Sequence, residues 1–262
     1  RKLRQIQYEI QKGTYINESS KTYQDVYYMW LIDYKGTVQE STFVKTVRIF
    51  KKHILPFLGT YRISKINTSI CKELTKNWSK MKSARSIKSY ASKVMDYAVE
   101  MKFISTNPFA SVKIAKPSRF QCDEEEFENF YSRDQLSRFM ECLKQEGDSK
   151  VYTLFHLLAY TGMRKGEALA LTWEDIDFTN KEIQIKKALS RGENGRLYIK
   201  TTKTGESRKI VIGEETVAVL KEWKKQQCEE LSQLGFGFSS KNQLVFSNKC
   251  NSFIQPTKTN QW

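Results

Sequence analysis

The spacing of apolar residues along the chain changes character, helical over most of its length and alternating over one stretch near the middle of the second half. In the first half the spacing is helical. "TYQDVYYMWLIDYK" opens with Thr22 and Asp25 in capping-box order. In "STFVKTVRIFKKHILPFLG", Phe43, Val47, Phe50 and Ile54 fall at i, i+4, i+7 and i+11, which predicts one buried stripe. Lys45, Arg48 and Lys52 form a second stripe on a different face, and Pro56 and Gly59 end the element. "SICKELTKNWSKM" predicts a shorter helix. "ARSIKSYASKVMDYAVEMKFI" predicts a long one, with Ile87, Ala91, Val94, Ala98 and Met101 inward and Arg85, Lys88, Ser89 and Ser92 outward.

"NPFASVKIAKPSRFQ", interrupted by Pro108 and Pro117, reads as a linker. After it, Ser132 and Gln135 form a second capping box ahead of Leu136, Phe139, Met140 and Leu143. An apolar helix over residues 150–160 stops at Thr161 and Gly162, and a new helix starts near Arg164. Alternation then takes over in "KEIQIKKAL", "RLYIK" and "SRKIVI", separated by the turn-forming "RGENG" and "TTKTGE". These three segments predict a small three-stranded antiparallel sheet, and "EETVAVLKEWKKQQCEEL" returns to helix. The expected fold is mainly α with that small sheet, an α+β chain. Expected boundaries are a linker or domain end over 1–20, a helical domain over 21–112, a linker over 113–128 and a second domain over 129–262. The acidic run 123–126 reads as a solvated face.

Charge separates the two halves more sharply than patterning does. Residues 1–120 hold 23 Lys and Arg against 8 Asp and Glu, and residues 121–262 hold 21 against 21. The whole net charge of +15 therefore belongs to the first half. A basic helical module joined to a neutral one points to a polyanion held by the first and acted on by the second. The Lys45, Arg48, Lys52 face and the Arg85, Lys88, Ser89, Ser92 face, with serines among the cations, suit phosphate contacts on nucleic acid.

Other classes are disfavoured. No apolar run approaches the ~18–20 residues that span a bilayer, no signal peptide is visible, and no amphipathic segment carries an aromatic face suited to a membrane surface. Five cysteines without a C-x-x-C spacing, and His53 and His156 away from them, read as reduced cytosolic thiols with no metal site. No phosphate-binding loop, metal-carboxylate cluster or nucleophile elbow is present. The chain opens on Arg1, which reads as a fragment or processed product.

Arg164 carries the main chemical question. It sits between "VYTLFHLLAY" and "ALALTW", where a guanidinium loses hydration unless an anion replaces it. Two readings stand together: a phosphate ligand at a helix start, or an ion pair with Glu167 on the same turn. Lys203, at the turn of a predicted hairpin, reads either as a solvated lysine or as a proton donor to a departing oxygen. His156 reads as a packed helix residue, His53 as a surface residue and Tyr160 as core.

Taken together, "TGMRKGEALALTWEDIDF" resembles the first arginine box of the tyrosine recombinases, the phage and conjugative-transposon integrases. "IKTTKTGESRKIVI" resembles their β-hairpin lysine segment, and the first domain resembles their helical core-binding domain. The resemblance covers roughly residues 20–260. It implies site-specific recombination of a mobile element through a 3′-phosphotyrosine, without metal or nucleotide cofactor. It implies that Arg164 binds the scissile phosphate, Glu167 supports it and Lys203 protonates the leaving 5′-oxygen. It also implies double-stranded DNA as partner, a tetramer assembled on that DNA, and a bacterial cytoplasmic, nucleoid-bound location.

The family's H-x-x-R box, later His or Trp, and tyrosine nucleophile do not match any segment before Trp262. A chain ending there is expected to be an incomplete catalytic domain that binds DNA without cutting it. A non-catalytic DNA-binding relative and a nicking topoisomerase of the same chemistry are the alternative readings.

Overall fold

The computed structural model describes residues 20–114, 130–202, 205–238 and 242–262. The chain divides into two compact units, residues 1–125 and 126–262.

The first unit is helical. Helix α1 (Tyr23–Lys35) starts on the expected box: the Asp25 amide donates to Thr22 Oγ1 at 3.2 Å, and the Thr22 amide donates to Asp25 Oδ2 at 2.8 Å. Helix α2 (Glu40–Ile49) does not run on to Gly59 unbroken. It passes into one π-helical turn, Phe50–Ile54, and then a single turn α3 (Leu55–Leu58). Phe50 and Ile54, at the two ends of the wide turn, are fully buried, while Phe43 and Val47 on the preceding α-helix are half-buried. Helices α4 (Thr68–Trp78) and α5 (Ala84–Glu100) complete the unit. Ile87, Ala91, Val94 and Ala98 join α1 and Phe50 in one core, with Trp78 stacked on Phe109. Met101 lies past the end of α5 and is exposed, contrary to its expected inward position, because the helix stops at Glu100 and the chain turns away.

The second unit begins with α6 (Arg133–Glu146), whose Ser132–Gln135 box forms as expected, and α7 (Ser149–Thr161). Gly162, at φ 63°, ends α7 in the left-handed region that an L side chain enters at a cost. One turn, α8 (Lys165–Ala168), follows, then the strands and the long helix α9 (Glu214–Gln233).

The strands differ from the single sheet that alternation predicts. β1 (Ile176–Asp177), β2 (Glu182–Ile185) and β5 (Arg208–Val211) form a three-stranded antiparallel sheet in the order β1-β2-β5. β3 (Lys187–Arg191) and β4 (Leu197–Thr201) form a separate antiparallel ribbon. "KEIQIKKAL" is therefore two strands, divided at Lys186. Successive side chains of a regular strand face opposite ways. Here β2 ends at Ile185 and β3 begins at Lys187, with Lys186 Nζ 3.8 Å from Asp175 Oδ1 and Lys187 Nζ 3.1 Å from Asp175 Oδ2. Buried Asp175 also accepts from the Thr172 amide and hydroxyl, which fixes the turn leading into β1.

The core of this unit gathers Leu154, Leu157, Leu169, Leu171, Trp173, Ile183, Leu220, Trp223 and Phe246. Val245 donates its amide to Leu171, and Trp223 Nε1 donates to the Val245 carbonyl, tying the C-terminal segment to α9.

Candidate functional site

Arg164 is the N-cap of α8, and its side chain is 62% exposed. Glu167, three residues on, is 2% exposed and carries a dense set of donors. Its Oε2 accepts from the Arg164 amide at 2.9 Å, and its Oε1 accepts from Arg164 Nη1 at 3.1 Å. The amide that a helix start would offer to a phosphate is thus taken by Glu167.

A third residue completes the cluster. Arg208, at the start of β5, donates through Nη1 to Glu167 Oε1 at 3.1 Å and through Nη2 to Oε2 at 2.5 Å. Burial on its own would push the Glu167 carboxyl up. The Arg208 guanidinium, with the Arg164 amide and guanidinium, outweighs that and holds it at about 2. Sequence reasoning did not single out Arg208. A signal was nevertheless present: in "SRKIVI" the alternation puts Arg208 on the same side as Ile210, and Arg208 and Ile210 are half-buried while Lys209 and Val211 are exposed. An arginine in an inward slot needs a carboxylate.

Backbone packing sets where α8 sits. A Cβ on Gly166 would stand 2.9 Å from the Leu189 carbonyl oxygen, so the absence of a side chain lets α8 lie directly on β3.

Lys203 lies outside the described residues. The strands before and after it in the chain, β4 and β5, belong to different sheets. Thr202 Oγ1 donates to the Glu206 carbonyl, and Gly205 stands at φ 77°.

Of the residues expected to touch DNA, Lys45, Arg48 and Lys52 are exposed along α2 and the π turn, and Arg85 and Ser89 are exposed on α5. Lys88 and Ser92 are half-buried. Ser92 is engaged within the fold, since Asn107 Nδ2 donates to its hydroxyl at 2.9 Å and to its carbonyl at 3.1 Å.

His156 is packed, as expected, at 1% exposure, with Nε2 and Thr216 Oγ1 3.0 Å apart. Tyr160 is not core: its ring lies on His156 at 4.4 Å but is more than half exposed, because α7 ends one residue later.

The arginine-bearing turn, the adjoining strands and the helical first unit are matched by known proteins in the same order. The profile of the phage integrase N-terminal SAM-like domain matches residues 22–92, and that of the phage integrase family matches residues 129–261. The chain belongs to the phage integrase family. Among curated relatives of this integrase-family chain, the ICEBs1 integrase of Bacillus subtilis is 30% identical over 197 residues, covering 73% of this chain and 51% of the relative. A XerC-like tyrosine recombinase of Caldanaerobacter subterraneus is 28% identical over 246 residues, covering 86% of this chain and 61% of the relative. The chain thus spans between half and two thirds of the length of these relatives. Two solved structures share the fold. The Tn1549 transposon integrase, in complex with a circular intermediate DNA, has a TM-score of 0.73 at 22% identity, covering 90% of this chain and 74% of its own. The lambda integrase bound to DNA has a TM-score of 0.63 at 15% identity, covering 92% of this chain and 75% of its own.

Proposed function

We propose that the protein is a site-specific DNA recombinase of a mobile element, cutting and rejoining DNA through a 3′-phosphotyrosine. The observation that carries this reading is an exposed arginine braced by a buried carboxylate, on the turn that the integrase family uses as its first arginine box. Arg164 binds the scissile phosphate and stabilises the charge that develops on it. Glu167 orients Arg164, and Lys203 protonates the leaving 5′-oxygen. The residues over 21–112 form the core-binding domain, gripping the duplex through Lys45, Arg48, Lys52, Arg85, Lys88 and Ser89, and those over 129–262 belong to the catalytic domain. The partner is double-stranded DNA in the bacterial cytoplasm, on which four copies assemble.

The test is strand cleavage by the whole protein on DNA carrying its recombination site. Arg164→Ala is expected to abolish covalent protein–DNA product while DNA binding is largely retained. Undiminished cleavage overturns the assignment.

A further inference from the structure

We propose that Arg208 is a positioning residue for Arg164: it occupies both oxygens of Glu167, so that Glu167 steers Arg164 without consuming it. The inference rests on the reading of Arg164 as a phosphate ligand.

The geometry of the carboxylate leads there. A carboxylate and a guanidinium pair best in a two-pronged arrangement. If Glu167 faced Arg164 alone, that pairing would take two of the five guanidinium N–H groups and aim the plane of Arg164 at Glu167. Instead the two-pronged partner is Arg208, with one nitrogen on each oxygen. Arg164 is left with a single guanidinium hydrogen bond to Glu167, through Nη1, and its side chain remains the most exposed of the three. Among the described residues its other guanidinium donors have no partner, which leaves them for a phosphate. The charge balance agrees: two guanidinium groups share one carboxylate, so the cluster keeps a net positive charge for an anion.

Arg208 also supplies rigidity that α8 cannot supply for itself. A single helical turn is not stable alone, because it fixes several residues for very few hydrogen bonds. Arg164 and Glu167 both stand on that turn. Arg208 stands 41 residues away, on a strand paired with β2 through Arg208↔Ile185. The bond between them ties the turn to a sheet.

The experiment compares Arg208→Ala, Arg208→Lys and Arg164→Ala in the 262-residue chain, using inorganic pyrophosphate as the anion probe. The readouts are pyrophosphate affinity and the solvent exchange of the Arg164 guanidinium protons by nitrogen-detected NMR, with thermal unfolding as a check on folding. In Arg208→Ala, Glu167 is expected to turn onto Arg164 in the two-pronged form. Exchange at Arg164 then slows, and pyrophosphate affinity falls about tenfold, equivalent to ~1.4 kcal/mol. Arg208→Lys, which keeps the charge but not the fork, gives an intermediate result and carries the test if the alanine variant does not fold. A folded variant with unchanged Arg164 exchange overturns the positioning role, whether affinity holds or falls; a fall without slower exchange makes Arg208 a direct ligand. If Arg164→Ala itself leaves affinity unchanged, it is the phosphate-ligand reading that fails.

Discussion

Arg208 binds Glu167 through both carboxylate oxygens, at 3.1 and 2.5 Å, whereas the sequence neighbour Arg164 reaches it with one guanidinium nitrogen, at 3.1 Å. A buried carboxylate with two cations has a definite acid response. The Glu167 pKa falls from an ordinary 4.5 to about 2. A group depressed in the fold contributes stability that is complete above its unfolded value and is lost as pH falls towards the folded one. Glu167→Gln is therefore expected to destabilise the second unit at neutral pH. Its deficit relative to the parent chain shrinks by about 2 kcal/mol between pH of about 6 and about 3. Urea unfolding followed by hydrogen exchange within residues 130–262 measures this, and a deficit independent of pH would count against the ionised pairing.

Gly166→Ala places a methyl group against a backbone carbonyl that cannot swing aside. The expected cost is about 1–3 kcal/mol, the usual range for overpacking. Because α8 has to lift off β3, the Arg164 resonances are expected to shift as well. A neutral substitution with unmoved Arg164 signals would show that the packing there is not restrictive.

His156 gives a second pH response at higher pH. Burial lowers its pKa from 6.5, with nearby Glu215 opposing that shift, and its Nδ1 is buried with no hydrogen-bond partner among the described residues. The fold thus holds it neutral, against Thr216 and between the rings of Tyr152 and Tyr160. A His lowered in this way costs stability as pH falls below its unfolded value of 6.5. The second unit is expected to weaken between pH of about 7 and about 5.5 in the parent chain, and much less in His156→Phe. Parallel pH profiles for the two proteins would remove His156 as the cause.

The basic first unit predicts a steep salt dependence of DNA affinity, because each neutralised phosphate releases condensed counterions. Replacing Lys45, Arg48 and Lys52 together by Gln is expected to lower affinity for any duplex and to reduce the log–log salt slope by about 1 for each phosphate that is no longer neutralised. Titration of a labelled duplex at several salt concentrations measures both. A slope equal to that of the parent chain would place the DNA on another face.

Local chemistry was legible wherever a feature depends on neighbours in the chain. Both capping boxes, the inward stripe of α5 from Ile87 to Ala98 and the glycine stop after Thr161 are features set within a few residues, and spacing alone predicted them; for Arg164, spacing offered the pairing with Glu167 beside a phosphate-ligand role, and the structure shows the pairing. The alternating segments were legible as strands but not as partners. Alternation states which side chains share a face, and says nothing of which strand lies alongside. The division at Lys186 and the separate β3–β4 ribbon are decided by which strands pair, β2 with β5 and β3 with β4, and at that division two consecutive lysines lie near the buried Asp175 carboxylate. The same holds at the centre of the site. An arginine in an inward strand position announces that a buried anion exists; only the fold, by bringing β5 against α8, decided that the anion is Glu167 and that Arg164 is left facing outward.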